Sequence, residues 1–297
     1  MKTKKSKIAK IIAGAVSLTV VAAVAAGGTF AFLSARTKEK INNFSFDVDS
    51  LNANLTETEW NGIADYDDDG TPIYGYNGNR AIYGYVGGDI NRPVYDKTAA
   101  GAGTRPTTDT RGDKITYGDT ASKNMIPGAE AAKNPVITNI GTVCNEWVAA
   151  KITFVYGGGK NKGKPLSLVD IQRISDIISI DYNIGTSDKW ERISGNENTV
   201  SQVFYYKEIL NIRNNKSQPK INGDKTEPIF TTVKFKDTAT NEDVEYLRSI
   251  GGFYIYIEGF AAQEEAGKNY EEFKEWGMND NVVFTHTPTD ENPLELT

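Results

Sequence analysis

A single cysteine and a single histidine in 297 residues narrow the chemistry at the outset. One cysteine, Cys144, cannot form an internal disulfide, and it reads as a buried, inert residue in a strand. One histidine, His286, without a His-Glu-x-x-His pattern, cannot supply a zincin-type zinc site. No Ser-His-Asp grouping stands out. Gly157-Gly158-Gly159-Lys160 lacks the spacing and the Ser/Thr of a phosphate loop, and reads as a flexible turn between strands. No catalytic residues are expected, and the chain does not read as an enzyme. Basic residues are also few, 33 against 39 acidic ones, and five of the 33 (Lys2, Lys4, Lys5, Lys7 and Lys10) sit at the very start. Without those five, 28 basic residues face 39 acidic ones, a net charge of −11. Such a polyanion has no electrostatic footprint for nucleic acid or an anionic membrane surface. Long apolar runs are absent after residue 26.

The one run that exists, Ile11 to Ala26, follows the lysines, precedes the first acidic residue at Glu39, and ends at Gly27-Gly28. It is shorter than the ~20 residues of a spanning helix and has the form of a secretory signal peptide. Small residues offer cleavage after Ala31 or after Ala35; the first is preferred, leaving Phe32 as the new N-terminus. Residues 1–31 are then the signal, and the membrane is met only before cleavage. An exported chain without disulfides points to a Gram-positive bacterial surface.

Beyond the signal, residues 32–43 show no strand pattern and read as a mobile arm. Phe44, Phe46 and Val48 alternate with Ser45, Asp47 and Asp49, the period of a half-buried strand, and Leu51, Ala53 and Leu55 alternate likewise. From residue 57 to 125 the texture becomes rich in Tyr, Gly and Asp, an insertion in which Asn77-Gly78-Asn79 between Tyr-Gly-Tyr phrases signals a hairpin. Strands are expected from Pro135 to Gly141, Trp147 to Val155, Ile178 to Ile184, Val200 to Ile209, Ile229 to Phe235 and Gly252 to Phe260. Short helices are expected after Ser167, where Ser167 and Asp170 resemble a capping box, after Thr240, and around Tyr270, Phe273 and Trp276. Many short strands with few helices indicate an all-β sandwich, one domain over 44–297 with the 57–125 insertion.

Several segments together resemble a known group. Gly27-Gly28-Thr29-Phe30-Ala31-Phe32, then Asn43-Phe44-Ser45-Phe46, Ile126-Pro127-Gly128, Val136-Ile137-Thr138-Asn139-Ile140-Gly141 and Tyr254-Ile255-Tyr256-Ile257-Glu258-Gly259-Phe260 are similar to the alternate-signal exported proteins processed by SipW-type signal peptidases. That group includes the TasA and camelysin proteins and the BsaA-like biofilm matrix proteins. The resemblance implies a jelly-roll-like β-sandwich, secretion to the cell surface, and a SipW-type peptidase as processing partner. It also implies assembly into extracellular fibres by donor-strand complementation, in a head-to-tail homopolymer with an anchoring or minor fibre protein as a further partner. The long insertion departs from that group. A strand freed by cleavage can pair with a sheet edge of a neighbour and bury alternate side chains such as Phe44, Phe46 and Val48. Such a contact does not close, so it propagates.

The insertion supplies the competing reading, a monomeric surface adhesin or ligand-binding module. Asp65, Asp67 and Asp69, followed by Gly70, have the opening of a calcium loop, but Tyr76 stands where an EF-hand has its bidentate Glu, so a solvated acidic turn is the default. Arg111-Gly112-Asp113 spells an integrin tripeptide that three common residues form readily by chance. The tyrosines suit either a carbohydrate surface or hairpin packing. Residues 292–297 lack an apolar tail, so sortase anchoring is not expected.

Overall fold

A computed structural model describes residues 34–36, 53–66, 72–74, 105, 107, 114, 116–139, 141, 144–212 and 224–296. The strands are β1 (Ser34–Arg36), β2 (Ala53–Thr56), β3 (Ile63–Tyr66), β4 (Pro72–Tyr74), β5 (Glu130–Ala132), β6 (Val136–Asn139), β7 (Glu146–Tyr156), β8 (Ile178–Tyr182), β9 (Trp190–Ser194), β10 (Ser201–Tyr206), β11 (Phe230–Phe235) and β12 (Phe253–Gln263). The α-helices are α1 (Thr58–Asn61), α2 (Gly118–Ala121), α3 (Leu168–Ile177), α4 (Asn241–Ser249) and α5 (Tyr270–Trp276). All paired strands run antiparallel, and the fold is mostly β with few short helices, as the sequence indicates.

A five-stranded sheet in the order β1-β12-β7-β10-β9 forms the centre, beside a three-stranded sheet β5-β11-β8 and two pairs, β2-β6 and β3-β4. The main core lies on one face of the central sheet, where Val148, Ala150, Ile152 and Phe154 of β7 meet Phe230, Val233 and Phe235 of β11 and Ile171, Ile174 and Ile177 of α3. Ala53, Leu55 and Ile137 of the β2-β6 pair join it. A second cluster covers the other face: Trp147, Ala149, Tyr205 and Phe260 pack with Phe273 of α5. Burial on both faces explains why β7 is apolar from Trp147 to Tyr156 except at Lys151 and Thr153, since alternation appears only where one face meets water. Ile152 is fully buried, and truncating a residue of this kind to Ala costs about 2–5 kcal/mol.

Local chemistry sets the helix ends. Thr240 and Asp243 form a complete capping box at α4. At α3 the box is only half made: the Ser167 hydroxyl accepts the Asp170 amide, but the Ser167 amide donates to the Tyr156 hydroxyl at 3.1 Å instead of to Asp170. Along α3, Leu168 is 67% exposed while Ile171, Ile174 and Ile177 are buried, and Ile178 opens β8.

Gly157-Gly158, expected to be a flexible turn, is packed backbone to backbone against Gly251-Gly252. The Gly157 amide donates to the Gly252 carbonyl at 3.0 Å, and a Cβ on Gly157 would sit 2.4 Å from the Gly251 carbonyl oxygen. Cys144 lies outside any strand. It is half-buried against the main core, and burial, reinforced by Glu146, pushes its thiol up to about 12. Within residues 57–125, β3 pairs antiparallel with β4, and residues 67–71 lie between them in sequence. The expected hairpin turn at Asn77-Gly78-Asn79 lies outside the described residues.

Candidate assembly edge

β12 dominates the organisation of the central sheet. Its eleven residues pair one for one with β7, from Phe253 opposite Tyr156 to Gln263 opposite Glu146. Two residue sets therefore face opposite ways. Ile257 and Ala261 enter the main core, and Phe260 and Ala262 enter the second cluster. On its other side β12 receives β1, with Ser34 opposite Ala262, Ala35 opposite Ala261 and Arg36 opposite Phe260. Among the described strands, β1 is the only one on that side. Part of the arm expected to be mobile is thus a strand at the sheet margin, where main-chain pairing alone can hold it.

Glu258, fully buried in β12, fastens the C-terminal segment over the sheet. Its carboxylate accepts the His286 amide at 2.9 Å and the Thr287 hydroxyl at 3.1 Å, and the His286 Nδ1 lies 3.5 Å from the same oxygen, Oε1. Lys151 stands opposite Glu258 in the ladder. Burial lowers the Lys151 pKa, and the Glu258 charge opposes that shift. Upstream, Phe284 meets Phe260 edge-on. Downstream, the Leu294 amide donates to the Gly163 carbonyl at 2.8 Å. The segment is a strap laid across the face of the sheet opposite the main core. The Glu258–Lys151 pair was missed in the sequence, although the spacing of Glu258 from Phe260 puts both on one face and signals a buried charge.

A hydroxyl and carboxylate hub ties α3 and α4 to β7. Asp170 accepts from Tyr156, from Ser167 at 2.6 Å and from Tyr246 at 2.6 Å. Burial raises the Asp170 pKa, but these hydrogen bonds outweigh it and hold the carboxyl below its usual range. Glu191 of β9 follows the same logic: burial is outweighed by hydrogen bonds from Lys274 and Tyr270, and α5 is pinned to the sheet.

The structure assigns positions to few of the residues singled out in the sequence. Ala31 and Phe32 at the cleavage site, the assembly residues Phe44, Phe46 and Val48, the carboxylates Asp67 and Asp69, and Arg111-Gly112-Asp113 lie outside the described residues. Asp65 is in β3, opposite Ile73. Among the described residues no group of three His, Cys, Asp or Glu side chains is arranged to hold a metal ion, and with Asp67 and Asp69 outside them the calcium reading rests on sequence alone. Among the described residues no helix is long and apolar enough to cross a membrane. In comparisons with known proteins, no family model, no curated protein and no solved structure matches the chain.

Proposed function

We propose that the protein is a secreted structural subunit of an extracellular biofilm-matrix or pilus-like fibre. Its fold is a jelly-roll-like sandwich, and subunits join when the N-terminal arm of one chain adds as a strand to the β12 edge of the next. The observation that carries this reading is the antiparallel pairing of Ser34–Arg36 with Phe260–Ala262, which marks β12 as a strand that takes the arm. Strand addition of this kind uses main-chain hydrogen bonds for affinity and propagates head to tail. The signal peptide acts as a lock, since no donor end is free until it is removed. A cut after Ala31 leaves β1 whole, whereas a cut after Ala35 leaves only Arg36 of it.

Negative-stain electron microscopy, with a boiled SDS gel, tests the proposal on protein beginning at Phe32 beside protein that keeps residues before it. Fibres from the Phe32 start alone are expected. Discrete monomers from both, at high concentration and acidic pH, overturn it and direct attention to the adhesin reading and the 57–125 insertion.

A further inference from the structure

Resting on the fibre reading, the geometry points to a self-capped subunit: β1 of each chain closes its own β12 edge, and assembly requires this intramolecular strand to be exchanged for the same strand of a second copy. The pairing of Ser34–Arg36 with Phe260–Ala262 is made within one chain. An identical arm from a neighbour would use the same register and the same main-chain hydrogen bonds. The contact energies of the closed and exchanged forms are therefore nearly equal, and the balance falls to chain connectivity.

Residues 37–52 join β1 to β2. Sixteen residues reach at most about 55 Å when extended, and a folded body of this size is about 45 Å across. That upper limit leaves room for β1 to serve either its own subunit or the next. Attachment through the same chain presents β1 to its own edge at an effective concentration on the order of millimolar. At micromolar protein the arm's own edge therefore wins by roughly 10³-fold, and the free subunit stays closed. Growth follows when local concentration at the cell surface, or further contacts between packed subunits, offsets that advantage. Self-capping also shields an edge that would otherwise invite unspecific pairing.

Ala35 and Ala261 are opposite each other in this pairing, and Cβ atoms of opposed residues lie about 4.5–5.5 Å apart, close to the span of a disulfide. The test is the variant Ala35→Cys with Ala261→Cys in a Cys144→Ser background, prepared both as the full chain and from Phe32. Oxidation of dilute protein should give a monomer with an internal cross-link that forms no fibres, and reductant should restore fibre growth to that of the uncross-linked protein. Oxidation of preformed fibres should instead give a ladder of covalently joined chains. A fibre ladder without any internal cross-link in dilute monomer overturns self-capping. So does a locked monomer that polymerises as fast as the reduced one, in which case the fibre reading stands and another surface does the assembling. An absence of fibres from reduced protein at every concentration overturns the fibre reading itself, and self-capping with it.

Discussion

At the residue scale, the charged groups of this protein act chiefly as ties between elements. Asp170 and Glu191 both have pKa values held below the ordinary carboxylate range by hydrogen bonds that outweigh burial. A carboxyl depressed on folding stabilises the native state above its unfolded pKa and loses that contribution as pH falls through the folded value. Stability should therefore decline below about pH 4.5, and Asp170→Asn and Glu191→Gln should each show a shallower acid limb in urea unfolding measured against pH. Asp170→Asn should also cost about 1 kcal/mol at pH 7, discounted for the partial exposure of the site. Cys144 makes the opposite point: its thiol, pushed up to about 12 by burial and then by Glu146, should react with an aromatic disulfide reagent on the order of 10³-fold more slowly in the folded than in the unfolded protein at pH 8. Equal rates would show an exposed thiolate.

The elements differ in how they are held. α4 carries its own start signal, and its capping box could be read from Thr240 and Asp243 alone. α3 borrows the Tyr156 hydroxyl from β7, a contact across an intervening loop that no capping pattern announces. The end of the strap depends on one permissive backbone position. Gly163 has φ +79°, and a Cβ there would sit 2.0 Å from the Leu294 carbonyl oxygen. Gly163→Ala is therefore expected to lift the end of the strap, with a loss of roughly 1–3 kcal/mol. Hydrogen exchange at the Leu294 amide reads this directly, and unchanged protection would mean that the strap is held by Glu258 alone.

For the molecule as a whole, both faces of the central sheet are occupied, one by the main core and one by α5 and the strap, so its margin is the surface open to strand addition. On the fibre reading, deleting residues 32–43 should abolish fibres while leaving the thermal unfolding of the remaining domain within a few degrees, because the two core clusters of the described residues are built from residue 53 onward. A collapse of the fold on deletion would mean that the arm is part of the core. On the same reading, mass spectrometry of the exported chain should find Phe32 at its start; Arg36 there would remove most of β1 and with it the proposed donor.

Apart from β9, the order of strands and helices from Pro135 onward was legible from the chain by itself, because period-two and period-three-to-four apolar patterns, Gly stops and Ser/Thr caps are local. β9 carries no such local pattern: in Trp190–Ser194 only Trp190 is deeply buried, and Glu191 and Arg192 disguise the alternation. Charge balance, the scarcity of cysteine and histidine, and the lysine-led apolar start belong equally to the sequence. The tertiary structure alone decided which strands neighbour which, that Gly157-Gly158 must meet Gly251-Gly252, that Glu258 is buried beneath the C-terminal strap, and that Ser34–Arg36 rests on β12. Each of these joins residues far apart along the chain. Such contacts follow from which hydrophobic faces can be buried together, and that depends on all the elements at once.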